Sequence, residues 1–457
     1  MGKRSRSWLA PCRAIVLFVS VLLAPACAPQ PPTIAYSEGP VTFNNQVVRL
    51  LQQHCQACHR PGEVAPFSLT TYKEAYGRRQ KILAVVQKRK MPPWKAVPGH
   101  GDFADVRRLS DLEVDLVARW VAAGAPEGEQ RDLPPPRKFP IGWVLGRPGA
   151  VLAMEEPFTV PAKTKDIYRC FTIPIRLGAG WQFIRASEVL PGNRKIVHHV
   201  LTFLDTTGIS EELDRREPGP GYTCFGGPGF NSAGGVGGWA PGSVPLEIPS
   251  GVAWGIAPGA HLVMQVHYHN PGPTDETDRT SIGIHFANRP MDRALRLIWP
   301  RASNFTIPAG ASRHVVHAIA SVPAGDQFEA IAVGAHMHLL GREIRVTARR
   351  PDGTKQPLLY IDDWDFEWQL RYTFKKPVPL PGGTVVEVEC VYDNSMANRR
   401  NPNTPPRDVT WGFQTTDEMC TAFVNGVVPL TRPIASRAGS VASPPGLDWL
   451  TRVDPRF

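Results

Sequence analysis

Two histidines separated by a single residue, His336 and His338, follow a short apolar run in the C-terminal half of the chain. The run, residues 331–333, predicts a buried strand, and on a strand residues i and i+2 point to the same face. We therefore expect the two imidazoles to converge on one point, which suits copper or zinc. Met419 is a candidate third ligand, and it would select copper because a thioether is a soft ligand. An isolated pair of this kind is more often two surface residues, so its interpretation depends on the rest of the chain.

Two further histidine pairs lie in apolar stretches with the composition of strands. His198 and His199 are adjacent, and adjacent strand residues face opposite ways, so both can reach one metal only if the strand is bulged there. His267 and His269 alternate with apolar residues and share a face. Because a buried, unpaired histidine is costly, each is expected to have a ligand or a hydrogen-bond partner.

A third signal is the sequence Cys55-Gln56-Ala57-Cys58-His59. This is the c-type heme attachment motif, in which both thiols bind the heme covalently and the histidine becomes an axial ligand of the iron. The alternative is a thioredoxin-like redox pair, which would need a surrounding βαβ unit. Apolar residues at helical spacing lead into the motif, and they favour heme.

The second axial ligand is predicted to be Met91, which sits between a lysine and two prolines that fix a loop. His100 is the competing candidate. Thioether ligation would raise the reduction potential and suit electron transfer. A capping box at Ser110 then starts a helix with a predicted inner face, made by Leu112, Leu116, Val117, Trp120 and Val121. Residues 40–128 resemble a small class I cytochrome c.

The length of 457 residues predicts several domains, and 41 glycines with 47 prolines favour short strands joined by turns. Residues 129–150, with three consecutive prolines, are predicted to be a semi-rigid linker. Strand and turn patterns follow from residue 151 to the end. The net charge of +10 is spread along the chain with no basic run, which gives no case for nucleic acid.

Basic residues and a short apolar core predict a signal peptide over residues 1–26, and hence a periplasmic or secreted protein. Cys27 follows directly, and a lipid anchor at this cysteine is the alternative to the soluble export that we favour. Four cysteines beyond the signal and the heme motif can form two disulfides, as expected in an oxidising compartment: Cys170, Cys224, Cys390 and Cys420.

Five motifs taken together are similar to the copper type II, ascorbate-dependent monooxygenases, the family of peptidylglycine alpha-hydroxylating and dopamine beta-monooxygenases. They are His198-His199-Val200-Leu201, Gly238-Trp239-Ala240-Pro241-Gly242, Gln265-Val266-His267-Tyr268, His336-Met337-His338-Leu339-Leu340-Gly341 and Asp417-Glu418-Met419-Cys420. The resemblance implies two all-β, jelly-roll-like sandwich domains over residues 151–297 and 298–457. With the small all-α cytochrome c domain, they complete a multidomain fold with one heme c and two copper ions.

The resemblance also assigns roles to individual residues. An electron-transfer copper would be held by His198, His199 and His267. The copper that activates oxygen would be held by His336, His338 and Met419, which are the catalytic residues, while His269 would lie outside the ligand set. Cys390 would pair with Cys420, leaving Cys170 to pair with Cys224.

The implied reaction is hydroxylation of a C–H bond of a small molecule by O2, with ascorbate or a redox protein as electron donor and the heme as relay. Gly334 and Phe423 stand where the peptide-amidating enzymes have an arginine and a tyrosine that grip a carboxylate, which disfavours peptide amidation. One alternative is an electron-transfer or copper-binding protein without turnover. The other is a zinc hydrolase, which predicts a carboxylate base beside His336 and His338.

Overall fold

The computed structural model describes residue 2 and residues 39–63, 65–241 and 245–434. The predicted signal peptide, apart from residue 2, and Cys27 lie outside the described residues. The described chain is mostly β-sheet, with helices gathered near its N-terminal side. None of the helices in the described ranges is long and apolar enough to cross a membrane.

The N-terminal unit is helical. A π-helical turn, Phe43–Val47, leads into α1 (Val48–His54), α2 (Tyr72–Gly77), α3 (Arg79–Gln87) and α4 (Asp111–Ala122). Their apolar faces form one core around the fully buried Trp120. The predicted capping box is present, with Ser110 and Glu113 satisfying each other's backbone N–H groups at the start of α4. The predicted inner face is wrong for Leu112, which is 61% exposed.

Short strands and one helix follow in the middle of the chain. They are β1 (Ala150–Ala153), β2 (Phe158–Val160), β3 (Thr164–Pro174), β4 (Gln182–Leu190), β5 (Val197–Asp205), α5 (Ile209–Arg215), β6 (Tyr222–Thr223), β7 (Gly238–Trp239), β8 (Leu246–Glu247), β9 (Val252–Ala253), β10 (Gly255–Ile256), β11 (His261–Asn270), β12 (Glu276–Asp278) and β13 (Ser281–Phe286). One sheet has the order β1-β13-β4-β10, and the other has the order β6-β3-β11-β5-β7. Buried residues of both sheets share one core, as in a sandwich.

The second set of strands occupies the rest of the described chain. They are β14 (Met291–Ile298), β15 (Arg301–Ala302), β16 (Thr306–Ile307), β17 (His314–Ser321), β18 (Gln327–His336), β19 (Gly341–Arg349), β20 (Lys355–Ile361), β21 (Tyr372–Pro381), β22 (Val385–Tyr392), β23 (Val409–Thr410) and β24 (Cys420–Ile434). Sheet β21-β18-β24-β14-β9 packs on sheet β17-β22-β19-β20 through a common core. Strand β9 of the middle segment pairs with β14, so the two sandwiches are joined by a shared sheet. Jelly-roll-like connectivity and the predicted domain boundaries stay predictions.

Two disulfides hold the sandwiches, and both predicted pairings are confirmed. Cys170 bonds to Cys224, and Cys390 bonds to Cys420. Cys55 and Cys58 are free thiols. Disulfides of this kind are typical of extracellular or secreted proteins.

The chain between α3 and α4 lies against the C-terminal sandwich. Ala96 forms a β-bridge with Ile361, and Phe103 forms one with Phe374. Both Ala96 and Phe103 belong to the core of that sandwich. The segment that carries the predicted heme ligand Met91 is therefore continuous with a segment built into the C-terminal sandwich.

Candidate metal centres

The first histidine cluster depends on an irregularity in strand pairing. Along β11 and β5, His267 pairs with His199 while the next residue, Tyr268, pairs with Val197. His198 is thus an extra residue in β5, which is the definition of a β-bulge. The bulge removes the objection that adjacent strand residues face opposite ways, because it turns His198 toward the side of His199.

The ring nitrogens of this cluster converge. One ligand atom each from His198, His199 and His267 lies within 4.8 Å of the other two. The Nδ1 atom of His199 is 3.3 Å from Nδ1 of His198 and 3.4 Å from Nδ1 of His267. Nitrogens bonded to one metal at 2.0–2.1 Å in a tetrahedral site stand about 3.3 Å apart, so the set fits a copper or zinc ion.

The outer nitrogen of one ring is held by a carboxylate. Nε2 of His267 lies 2.8 Å from Oδ1 of Asp166, and Tyr168 stacks on the same ring at 4.2 Å and 5°. A hydrogen bond to Nε2 leaves the lone pair on Nδ1, the atom that faces the cluster. Asp166 gave no signal in the sequence, because only the pairing of β3 with β11 brings it beside His267.

The surroundings of this cluster favour the neutral form of its histidines. Burial, together with the charges of His267, His198 and His336, lowers the pKa of His199 to about 3. Burial also lowers the pKa of His267 to about 4, although the Asp166 hydrogen bond acts in the opposite direction. Neutral imidazole is the form that binds a metal. His269 is exposed at the edge, and its charge lowers the pKa of His198 and of His267.

In the second cluster, formed by His336 and His338, the nitrogen available to a metal is Nε2 and not Nδ1. The rings of His336 and His338 are 4.9 Å apart at 84°. Nδ1 of His336 lies 2.5 Å from Oε1 of Gln369, and Nδ1 of His338 lies 3.0 Å from the carbonyl oxygen of Asp417. Both Nδ1 atoms are thus engaged, which leaves Nε2 of each ring for a metal. Burial and the charge of His338 lower the pKa of His336 to about 4.

A buried carboxylate ties this cluster to the predicted methionine ligand. Glu418 accepts hydrogen bonds from the backbone N–H groups of His338 (2.8 Å), Leu340 (2.6 Å) and Met419 (3.2 Å). The hydroxyl of Tyr392 donates to the carbonyl oxygen of Met419. The structure therefore brings the backbone of Met419 to the His336–His338 turn. Two histidines and a thioether, if the Met419 side chain turns toward the pair, are a donor set that suits copper.

The environment of Glu418 is unusual for a carboxylate. Burial raises its pKa to about 8, against the effect of the backbone donors around it. Its oxygens are already engaged by N–H groups, so it positions the turn and is not a free base. The sequence contained Glu418 within a recognised motif, but nothing in that motif indicated which atoms it would bind.

The two clusters belong to different sandwiches but lie within electrostatic range of each other. The charge of His336 contributes to the lowered pKa of His199, and the charge of Glu367 acts on His198. Such effects need the groups to lie within electrostatic range across the gap between the sandwiches. His336 is half-buried and His198 exposed, so water reaches both. The two clusters are therefore electrostatically coupled and both are reached by solvent.

The heme motif lies in the turn after α1. Cys55 and Cys58 are half-buried, and burial raises the pKa of the Cys55 thiol to about 12. Nδ1 of His59 lies 3.1 Å from the carbonyl oxygen of Phe67, which leaves Nε2 for an iron atom. Two free thiols beside an imidazole oriented in this way fit a covalent heme.

The structure leaves the predicted pairing of Met91 with the heme motif untested. Met91 is half-buried in the loop after α3, and its backbone N–H donates to Val85. Within the described ranges no hydrogen bond or ring contact joins it to residues 55–59. His100, the competing ligand, packs on Tyr360 of the C-terminal sandwich at 5.0 Å. Axial ligation by Met91 stays a prediction.

Residues 302–427 match the profile of the family described as copper type II ascorbate-dependent monooxygenase, C-terminal domain. This match supports a relationship of the chain to the copper monooxygenase family. The matched residues contain His336, His338 and Met419, and they lie within the predicted second copper domain.

Two relatives extend the likeness. The chain is 27% identical over 294 residues to DBH-like monooxygenase protein 1 of Homo sapiens, a match that covers 58% of this chain and 45% of the relative. It is 24% identical over 298 residues to the protein of the same name from Gallus gallus, again covering 58% and 45%. The matched part of the chain thus spans under half the length of each relative. Among solved structures, the major capsid protein P2 from Bacteriophage PM2 matches with a TM-score of 0.23 and 9% identity, over 62% of this chain and 98% of that chain. This similarity is too weak to indicate a shared fold or function.

Proposed function

We propose that this protein is an exported copper-dependent monooxygenase that hydroxylates a C–H bond of a small organic substrate with O2. The observation that carries the proposal is the difference between the two clusters. In one cluster the Nδ1 atoms of three histidines come together, and in the other two Nε2 atoms are left free near the backbone of Met419. Copper bound in such sites supplies one-electron chemistry with oxygen, since it cycles between Cu(I) and Cu(II).

The residues of the chain have distinct tasks in this proposal. His198, His199 and His267 would hold an electron-transfer copper, and His336, His338 and Met419 would hold the copper at which oxygen reacts. Asp166 and Gln369 fix which nitrogen of His267 and His336 faces inward. The substrate would enter the cleft between the sandwiches, where Phe366 lies 5.8 Å from His338.

A heme c held by Cys55, Cys58, His59 and Met91 would relay electrons, with ascorbate or a redox protein as the donor. Support comes from the contacts of the N-terminal unit with both sandwiches. Glu63, near the heme motif, pairs with Arg194, four residues before His198, at 2.9 Å. On the other side Lys95, close to Met91, pairs with Asp363 at 2.6 Å. The unit thus contacts both sandwiches.

The zinc hydrolase is the weaker interpretation. It needs a carboxylate base beside His336 and His338, and the buried carboxylate there is Glu418. Because the Glu418 oxygens accept backbone N–H groups, they are not available to activate water. A methionine next to the pair also favours copper over zinc.

The first experiment measures copper and iron per chain after export, heme maturation and copper loading. We expect about two coppers and one iron in the wild type, and about one copper in His336→Ala. His314→Ala, which removes a histidine from β17 outside both clusters, is the matched control and should keep both coppers. Iron without copper would refute the monooxygenase and leave a cytochrome joined to a binding module.

A second experiment tests the relay. Reduced heme should be oxidised by O2 quickly only when copper is bound, and His336→Ala should slow this oxidation. Two coppers with no oxygenated product from any electron donor would instead favour the electron-transfer or copper-binding alternative. Equal oxidation rates with and without copper would show that the heme does not serve the copper centres.

A further inference from the structure

Arg371 lies between the loop that carries Gln369 and the start of β21. Its side chain is exposed, and in the part of the chain that the structure describes it has no hydrogen bond or ion pair. Burial is the single cause that lowers the pKa of this guanidinium, and no carboxylate contributes. Arg371 is therefore a full positive charge without a protein counter-charge.

Solvent reaches Arg371 while protein atoms pack around part of it. The side chain is exposed, and partial burial lowers the pKa of the guanidinium. The position of this charge relative to the His336 cluster follows from the strand pairing.

Strand register places Arg371 beside the His336 cluster. Val333 of β18 pairs with Tyr372 of β21, and continuing this register by one residue sets Gly334 opposite Arg371. Directly opposite residues of an antiparallel pair project to the same face. Val333 and Tyr372 are buried in the core, so Gly334 and Arg371 face the other way. His336, two residues after Gly334, shares that face.

The other neighbour of Gly334 is aromatic. Gly334 pairs with Phe423 of β24, whose ring lies 5.6 Å from that of Trp299. A Cβ atom built on Gly334 would have one neighbour within 4 Å, the carbonyl oxygen of Leu370 at 3.8 Å. The space above Gly334 is thus open, with a guanidinium on one side and an aromatic ring on the other.

We propose that Arg371 binds a carboxylate of the substrate, whose apolar part lies over Gly334 against Phe423 and presents a C–H bond to the His336 cluster. The planar guanidinium offers paired N–H donors that match a carboxylate. The inference rests on the proposed function and adds a substrate class to it, small organic acids with an apolar or aromatic body.

Two other charged groups bear on this assignment. The charge of Glu367 raises the pKa of His198, but it does not contribute to the pKa of Arg371. The heme proposed for the N-terminal unit also carries carboxylates, so the shared chemistry has two possible sources. The experiment must separate an organic acid in the cleft from a heme carboxylate.

The test measures binding of phenylacetate and 4-phenylbutyrate to the copper- and heme-loaded full chain by calorimetry, with 2-phenylethanol and phenethylamine as the neutral and cationic counterparts. We expect at least one acid to bind more tightly than both counterparts. Arg371→Gln should weaken that binding about tenfold or more, and Arg371→Lys should weaken it less. Arg432→Gln, at the distant end of β24, is the matched control and should not change it.

A double variant tests where the guanidinium must lie for the acid to bind. Arg371→Gly combined with Gly334→Arg moves the guanidinium to the adjacent strand, and because the space above Gly334 is open, acid binding should recover compared with Arg371→Gly alone. No recovery would count against the position we assign.

Three results would overturn the proposal. They are equal acid binding by wild type and Arg371→Gln, no acid binding by the wild type, and a changed heme reduction potential in Arg371→Gln with unchanged acid affinity. The last would assign Arg371 to a heme carboxylate. Copper content, measured on the same samples, reports on the proposed function separately, since acid binding does not require turnover.

Discussion

The two histidine clusters differ in how the protein orients their rings. In the first cluster the inner atoms are Nδ1, and the charged Asp166 holds the outer nitrogen of His267. In the second cluster the inner atoms are Nε2, and two neutral oxygens, from Gln369 and the Asp417 backbone, hold the outer nitrogens. The first is formed by a bulged strand pair, and the second by a turn fixed to Glu418. Both clusters use histidine ligands, but different residues orient the rings in each. Single substitutions can therefore perturb one cluster at a time.

The largest effect is expected for Glu418→Ala. It would leave the buried N–H groups of His338, Leu340 and Met419 without an acceptor, and each such loss costs about 1–3 kcal/mol. We expect the free energy of unfolding to fall by about 5 kcal/mol, a value at the high end for one substitution. Denaturant titration measures this, and the second cluster should lose copper while the first keeps it.

The control for this prediction is Glu387→Ala. Glu387 pairs with Arg349 at 2.8 Å near the surface, and the loss of such a pair costs less than about 1 kcal/mol. If Glu418→Ala destabilised the protein no more than Glu387→Ala, the buried carboxylate would not be what holds the turn.

These supports mark the limit of what the sequence could predict. Spacing on a strand indicated that His336 and His338 converge, and the resemblance implied both disulfides. Adjacent histidines could reach one metal only through a bulge, and the sequence does not say whether His198 or a neighbour is the extra residue. Asp166 and Arg371 reach their positions through strand pairing. Asp166 is 101 positions before His267 in the sequence, and Arg371 is 37 positions after Gly334. Local patterns carry no information about such pairs.

The heme segment shows the same limit. Helical spacing and the capping box predicted α1 and α4 from nearby residues alone. The sequence did not indicate that Phe103 would enter the core of a sandwich whose strands begin some two hundred residues later, because that contact depends on how separate units pack. Local patterns specified the elements, and their docking required the structure.

The next effect in size concerns the disulfides. Cys390 and Cys420 close a span of 30 residues and Cys170 and Cys224 a span of 54, so removing either bond should cost about 4 kcal/mol in the chain-entropy model. The copper affinity of each cluster should distinguish the two disulfides. Cys420 adjoins Met419, whereas Cys170 pairs with Gln265, two residues before His267. We expect each double cysteine-to-alanine variant to weaken copper at its own cluster, and loss at the opposite cluster would contradict independent supports.

A smaller effect is expected at the outer nitrogens. Asp166→Ala removes a charged partner of His267, and such outer partners contribute about 10–100-fold in metal affinity. Gln369→Ala removes a neutral partner of His336 and should cost less. Copper affinity by competition with a chelator, site by site, measures both. Asp166→Asn should restore part of the affinity, because its amide oxygen still accepts from Nε2. A larger loss for Gln369→Ala would show that charge is not what distinguishes the clusters.

The smallest effect is expected for the ion pairs that dock the N-terminal unit, and it can be compared with the effect of an apolar docking contact. Lys95 pairs with Asp363 and Arg194 with Glu63, one contact for each sandwich. Ion pairs near the surface contribute less than about 1 kcal/mol and weaken with salt, whereas the apolar contacts of Ala96 and Phe103 do not. Lys95→Ala should therefore leave stability nearly unchanged, and Phe103→Ala should lower it by about 3–5 kcal/mol. If the two variants proved equal in denaturant titration, the unit would be held by charge, and its position over both clusters would depend on ionic strength.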